Sequence, residues 1–298
     1  MPLNSTKASC PFSRSPGVLI TLLMLLSTYG CEKLDYRLIE SDGEQRRYAI
    51  YIPTGYDQTI PAPLVFDFHS TASSPAKQSA VSRLNGFADR EGFIVVRPEG
   101  QYKLNALTSW NADLDPLGVD DVQFVIDILD DVESQYLIDK SRIYAVGFSG
   151  GARMVSRLAC ELPDVFTAMA MVAGIQYPVN CNSSESVSIL AFHGEQDTVN
   201  PYDSTSTSPE YWVWGVEESI AGWAEHNQCI ESVVTWGDTF STMEYNGCIA
   251  GSRVELFRFP DSGHTWPGNP ITTWLGLGET NTEVNATSVL WQFFQDSP

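Results

Sequence analysis

The chain has 298 residues, 43% hydrophobic and 18% charged, enough to bury the core of one large α/β domain or two small ones. Acidic residues outnumber basic ones by 37 to 17, a formal net charge of −20. That balance excludes nucleic acid and anionic membrane surfaces as partners, because both need a basic patch, and it leaves solubility as the plain role of the acidity.

At the N-terminus, Lys7 and Arg14 precede an apolar run over 18–26, which ends in Ser27-Thr28-Tyr29-Gly30-Cys31, and no acidic residue comes before Glu32. A basic start, a short apolar stretch and a small residue before the cut make residues 1–30 a signal peptide. The run is too short to span a bilayer as a helix. The chain is therefore expected to be exported. Gly30-Cys31 resembles a lipoprotein cleavage site with Cys31 as the lipid anchor, although Thr28 and Tyr29 depart from the usual pattern. Secreted, periplasmic and anchored forms stay open. Cys10 leaves with the signal, so Cys160, Cys181, Cys229 and Cys248 remain, an even number in an oxidising compartment. Four cysteines allow three pairings. Sequence neighbours favour Cys160–Cys181 and Cys229–Cys248, each closing a loop of about 20 residues worth roughly 3 kcal/mol.

Residues 46–53 alternate polar and apolar before stopping at Pro53, as an early edge strand does. A second strand is expected over 63–68, running into the small-residue loop His69-Ser70-Thr71-Ala72-Ser73-Ser74-Pro75. A helix over 76–90 leads to 93–96, a continuous apolar run of the kind found in buried parallel strands. Residues 99–118 read as loop, with Trp110 in their middle. Asp120 can cap a long helix whose Val122, Val125, Ile126, Leu129 and Val132 recur at helical spacing. The carboxylates of Asp120 and Asp121 are better explained by that cap than by acid–base work. Strands follow at 142–146, 166–172, 187–192 and 253–259, and helices at 150–162, 219–227 and 283–294. Strands alternating with helices imply a mostly parallel central sheet with helices on both faces. No repeat or linker divides the chain, so residues 31–298 are expected to form a single domain.

The strand at 142–146 runs into Gly147-Phe148-Ser149-Gly150-Gly151, and a helix follows. Gly-x-Ser-x-Gly alone is a common loop pattern. Between a strand and a helix it reads as a nucleophile elbow, in which the glycines let the two elements approach closely around a strained serine. A serine hydroxyl needs a base, usually histidine, oriented by a carboxylate. Of the four histidines, His226 sits inside a predicted helix, His193 ends a strand and braces the next loop, and His69 opens the loop after 63–68. His264 follows the last predicted strand and is the expected base. Asp197, after the preceding strand, is the expected acid, with Glu195 and Asp261 as rivals. The order Ser149, Asp197, His264 is that of α/β-hydrolases. Gly150 offers one oxyanion N–H, and Thr71 or Ser70 the other, Thr71 being favoured. No metal-ligand spacing or phosphate-cradling glycine loop is present, so neither a metal nor a cofactor is expected.

The chain resembles the exported esterases grouped with polyhydroxybutyrate depolymerases and with feruloyl and acetylxylan esterases (carbohydrate esterase family 1-like). The resemblance covers most of 45–298. It rests on Pro98-Glu99-Gly100, Trp110-Asn111, Val119-Asp120-Asp121-Val122, the Ser149 elbow, Ala159-Cys160-Glu161 and Pro163-Asp164. It continues through Val172-Ala173-Gly174, His193-Gly194-x-x-Asp197, Trp223-Ala224 with Cys229, and Gly247-Cys248, and is most specific in Gly263-His264-Thr265-Trp266-Pro267-Gly268. It implies an α/β-hydrolase fold and serine-dependent hydrolysis of carboxylic esters, with Ser149, Asp197 and His264 as the triad and Cys229–Cys248 as a bridge near the histidine loop. His69-Ser70 departs from the family's usual His-Gly, which bears on the second oxyanion donor. Trp110 and Trp266 are expected to line the substrate pocket, with core packing as the alternative for both. Polyester, feruloylated or acetylated polysaccharide and small aromatic ester all remain as substrates. A serine peptidase, an acyltransferase and a catalytically silent binding protein on the same scaffold are the rival functions.

Overall fold

The computed structural model describes residues 34–113, 115–178 and 181–298. The signal peptide, Cys10 and the Cys31 anchor lie outside the described residues. Strands β1 (Asp35–Ser41) and β2 (Glu44–Tyr51) form a hairpin across Asp42 and Gly43, both at positive φ, as a tight two-residue turn requires. Strand β3 (Ala62–Phe68) is followed by helices α1 (Pro75–Ser82) and α2 (Leu84–Glu91), then by β4 (Ile94–Pro98). A small hairpin, β5 (Tyr102–Leu104) and β6 (Leu107–Ser109), precedes α3 (Asp121–Gln135). Next come β7 (Ile138–Phe148), α4 (Gly150–Glu161), β8 (Ala168–Val172), β9 (Ser188–Gly194) and α5 (Val216–His226). Strands β10 (Glu231–Trp236), β11 (Ser241–Asn246) and β12 (Val254–Phe259) lead to the short α6 (Ile271–Trp274) and the terminal α7 (Ala286–Asp296).

Ten strands form one sheet in the order β1-β2-β4-β3-β7-β8-β9-β12-β11-β10. The six central strands, β4 through β12, run parallel, and two antiparallel strands flank them on each side. Strands β3, β4, β8 and β9 are buried at every position, which is why they read as unbroken apolar runs. Their pleat divides the core in two. Leu64, Phe66 and Phe68 join residues of α3, α4 and α5 on one face, while Val65 joins residues of α1, α2 and α7 on the other. This is the α/β-hydrolase fold, with every central strand ending on the same edge. Among the described residues no helix is long and apolar enough to cross a membrane.

Several elements differ from the sequence expectation. The strand expected at an edge, β2, is covered by β1, whose residues are mostly exposed and lack a clean alternation. The helix expected over 76–90 is two helices, broken where Arg83 takes φ 53 without a glycine to announce it. The final helix starts later, where the Asn285 side chain accepts the Ser288 N–H. The Asp120 cap forms as read, its carboxylate accepting the Val122 and Gln123 N–H groups. Asp121 instead lies buried against Arg46 at 2.5 Å, and Asp67 is likewise buried against Arg97 at 2.8 Å. Disulfides join Cys160 to Cys181 and Cys229 to Cys248, as befits folding in an oxidising compartment.

Candidate active site

Ser149 sits between the end of β7 and the start of α4 with φ 56 and ψ −118, a conformation a non-glycine residue adopts only under constraint. Its neighbours explain how the constraint is met. A Cβ on Gly147 would lie 2.3 Å from the Gly151 carbonyl, and one on Gly151 would lie 2.3 Å from the Phe68 oxygen. Only side-chain-free residues let β3, β7 and α4 come this close. The Ser149 N–H donates to the Val172 carbonyl, and its own carbonyl accepts the Arg153 N–H to open the helix.

Asp197 lies in the turn after β9, where its Oδ1 accepts the Val199 and Asn200 N–H groups at 2.8 Å each. Its Oδ2 is 2.7 Å from His264 Nδ1 and 3.3 Å from His193 Nε2. Burial alone would raise this carboxyl, but the bonds and charges of His193 and His264 outweigh burial and hold it far below the usual carboxylate range. An ionised Asp197 assigns the Nδ1 proton to His264 and leaves Nε2 as the free acceptor. His193 Nε2 faces two acceptors, Asp197 and the Asn200 carbonyl at 2.9 Å, so it carries the proton there. The expected loop brace thus also steadies the acid. The rival carboxylates lie elsewhere: Glu195 pairs with Arg258 at 3.0 Å, and Asp261 is exposed. His226 bonds the Glu185 carbonyl on the surface of α5.

The loop after β3 is fixed by a third histidine. His69 is fully buried; its Nε2 accepts the Gly100 N–H at 3.0 Å and its Nδ1 donates to the Ser70 carbonyl at 2.8 Å. Burial pushes its pKa down to about 4, so the ring is neutral and this tautomer is specified by its two partners. In a trans peptide the C=O and the following N–H point in opposite directions. Anchoring the Ser70 carbonyl to His69 therefore turns the Thr71 N–H the other way, and Thr71 N is an immediate neighbour of Gly150, 3.1 Å from where a Cβ there would sit. Ser70, despite replacing the family's glycine, is not at positive φ; Ala72, at φ 58, is the left-handed residue of this loop. The hairpin β5–β6 adds two ties, Thr71 Oγ1 to Ser109 Oγ at 2.7 Å and the Ala72 N–H to the Thr108 carbonyl at 2.8 Å.

Ser149, Gly150, Thr71 and His264 line one cavity of about 320 Å³, whose walls include Leu104, Leu107, Phe148, Val199 and Leu277. Ser149 and His264 share it without a direct hydrogen bond between them among the described residues, a looseness common before substrate binds. A second groove of similar size, lined by Arg47 and Glu99 on the sheet's flank, holds neither a histidine nor a serine. Trp110 and Trp266, expected on the pocket wall, are core residues. Trp110 donates to the His69 carbonyl at 2.7 Å and packs on Phe68, and Trp266 donates to Thr287 Oγ1 at 3.1 Å. Among the cavity residues that went unnoticed in the sequence are Arg153 and Tyr211. Arg153 stands four residues after Ser149 on a helix, hence on the same face, and that spacing was the available signal.

The family model described as Esterase PHB depolymerase matches residues 46–234. Feruloyl esterase C of Emericella nidulans is 28% identical over 254 residues, covering 84% of this chain and 83% of that protein. Feruloyl esterase B of Piromyces equi is 26% identical over 228 residues, covering 74% of this chain and 42% of the relative. Among solved structures, an acetyl xylan esterase from Aspergillus awamori superposes with a TM-score of 0.60 at 16% identity, over 82% of this chain and all of that one.

Proposed function

We propose that this protein, which belongs to the esterase PHB depolymerase family and is a carboxylic-ester hydrolase, works through an acyl-enzyme on Ser149. The observation that carries the mechanism is the 2.7 Å bond from His264 to Asp197 beside a serine held at a nucleophile elbow. Ser149 Oγ attacks the ester carbonyl while His264 Nε2 takes its proton. Asp197, kept ionised by its buried hydrogen bonds, stabilises the resulting imidazolium. The N–H groups of Gly150 and Thr71 receive the oxyanion; each such donor is worth roughly 10²–10³ in rate. Collapse of the tetrahedral species breaks the bond to the alcohol, which leaves with the proton from His264. Water then attacks the acyl-enzyme with His264 again as base, and the acid is released.

Residues 31–298 act in this reading as one catalytic unit, supported by the continuity of the sheet. The substrate classes in view are polyester, feruloyl and acetyl esters. The names of the family and of its relatives support these, as do the apolar side chains of Leu104, Leu107, Phe148, Val199 and Leu277 on the cavity wall. Export by the N-terminal signal is supported by the two disulfides, and Gly30-Cys31 would supply the anchor of a lipidated form.

The test is Ser149→Ala assayed on p-nitrophenyl esters of graded chain length, methyl ferulate, acetylated xylan and polyhydroxybutyrate. A fluorophosphonate probe is applied in parallel. Loss of about 10⁴-fold or more in kcat, with labelling of the wild type alone, is the expected result. An undiminished variant, or a wild type that takes no label, removes the mechanism.

A further inference from the structure

The mechanism leaves one charged group of the cavity unused. Arg153 is 3% exposed and lines the same space as Ser149, Gly150 and His264. Among the described residues it is the one arginine or lysine on that wall. Its guanidinium lies over the Tyr211 ring, 4.0 Å from the centroid, so the plane is fixed by stacking. Nη1 reaches the Asp113 carboxylate at 3.3 and 3.4 Å, long contacts to a side chain that is 40% exposed. The Nε and Nη2 hydrogens have no acceptor in the protein among the described residues. A buried guanidinium with an open edge is costly unless something completes it.

Resting on the serine-esterase reading above, we propose that Arg153 makes this a site for esters that also carry a free carboxylate, bound by the open Nε/Nη2 edge while Ser149 attacks the ester. Three features favour a carboxylate over a neutral acceptor. The fork of Nε–H and Nη2–H matches the two oxygens of a carboxylate. The guanidinium itself is 3% exposed and backed by the Tyr211 ring, so a pair formed on it is stronger than in bulk solvent. Among the described residues the protein anion in contact is Asp113, which occupies the opposite corner of the guanidinium and is 40% exposed. The chain's net charge of −20 repels anions at long range, but salt screens that field within about 8 Å, whereas the guanidinium acts at contact.

The closing experiment compares each carboxylate ester with a neutral partner by pH-stat. Monoethyl glutarate against ethyl pentanoate places the charge on the acyl side, and 3-acetoxypropanoate against propyl acetate places it on the alcohol side. In at least one pair, kcat/KM is expected to favour the carboxylate by about tenfold, a typical size for one charge-assisted pair, and Arg153→Met should lower that ratio by about tenfold. No preference in either pair, or a ratio unmoved by Arg153→Met, overturns the proposal. Calorimetric titration of Ser149→Ala with the same compounds reads affinity without turnover and with Arg153 in place. Tighter binding of the carboxylate supports the proposal, and equal binding overturns it. A wild type that hydrolyses none of these esters would count against the serine mechanism, with the calorimetric ratio still deciding the role of Arg153.

Discussion

The loop after β12 and the loop after β3 each place a buried histidine beside the same cavity, and the two rings are wired for different work. His264 has a carboxylate on Nδ1, which fixes the tautomer and leaves a protonation site facing the substrate space. His69 has a backbone N–H on one nitrogen and a backbone carbonyl on the other. Both of its nitrogens are occupied, it meets no anion within bonding distance, and burial keeps it neutral. In the proposed mechanism one region gains and loses a proton during the reaction. The other is built never to do so, because protonating Nε2 would set two donors against each other at Gly100. The partner of a histidine, more than its burial, therefore decides whether it is a base or a strut.

The largest effect should come from breaking the charged half. In Asp197→Asn the side-chain oxygen can still accept the Val199 and Asn200 N–H groups, so the turn survives. The amide, however, can turn a donor toward His264 and stabilise the wrong tautomer. We expect kcat to fall about 10⁴-fold with the melting transition retained, measured on a soluble ester beside a circular dichroism melt. A fall below tenfold would mean that another carboxylate orients the base.

A smaller effect concerns stability and isolates the neutral half. The folded pKa of His69 is about 4, below the 6.5 of an unfolded histidine. Between those values the unfolded chain binds a proton that the folded one refuses. The contribution of His69 is thus complete above pH 6.5 and is lost as pH falls toward 4, by on the order of 3 kcal/mol. Asp67, Asp121 and Glu255, whose carboxyls burial pushes up, act in the opposite sense. The measurement is therefore the difference in unfolding free energy between wild type and His69→Gln at several pH values. That difference should change across pH 6.5 to 4; a flat difference would mean that His69 titrates normally.

The charged half was readable before the fold was known, and the neutral half was not. Four histidines and one Gly-x-Ser-x-Gly leave few ways to assemble a base and a nucleophile, and the chain order of Ser149, Asp197 and His264 removes most of those. His69 looked like the start of an ordinary turn because its partners, Gly100 and Ser70, are backbone groups that no sequence pattern displays. Trp110 and Trp266 were misplaced for a related reason, since an aromatic residue has the same letters on a pocket wall as in a core. Continuous apolar runs announced β3, β4, β8 and β9. Strand β10 is exposed at all six positions, so burial imprinted no period on it, and β11 escaped with it. The turn of the β5–β6 hairpin uses Asn105 and Ala106 at positive φ in place of the Asn-Gly that marks such turns.

The finest test separates the two nitrogens of His69. An asparagine amide nitrogen at this position overlays Nδ1 and can still donate to the Ser70 carbonyl, while a glutamine presents its terminal amide near Nε2 and can accept only the Gly100 N–H. If the oxyanion loop is oriented through Ser70, His69→Asn should keep more of kcat than His69→Gln, by about tenfold, with KM for a small ester changing little in either. A role limited to filling space predicts the reverse, because glutamine matches the volume of histidine more closely. The sign of that ratio, read from initial rates at pH 7 where His69 is neutral in the wild type, distinguishes a strut that aims the Thr71 N–H from one that merely occupies the core.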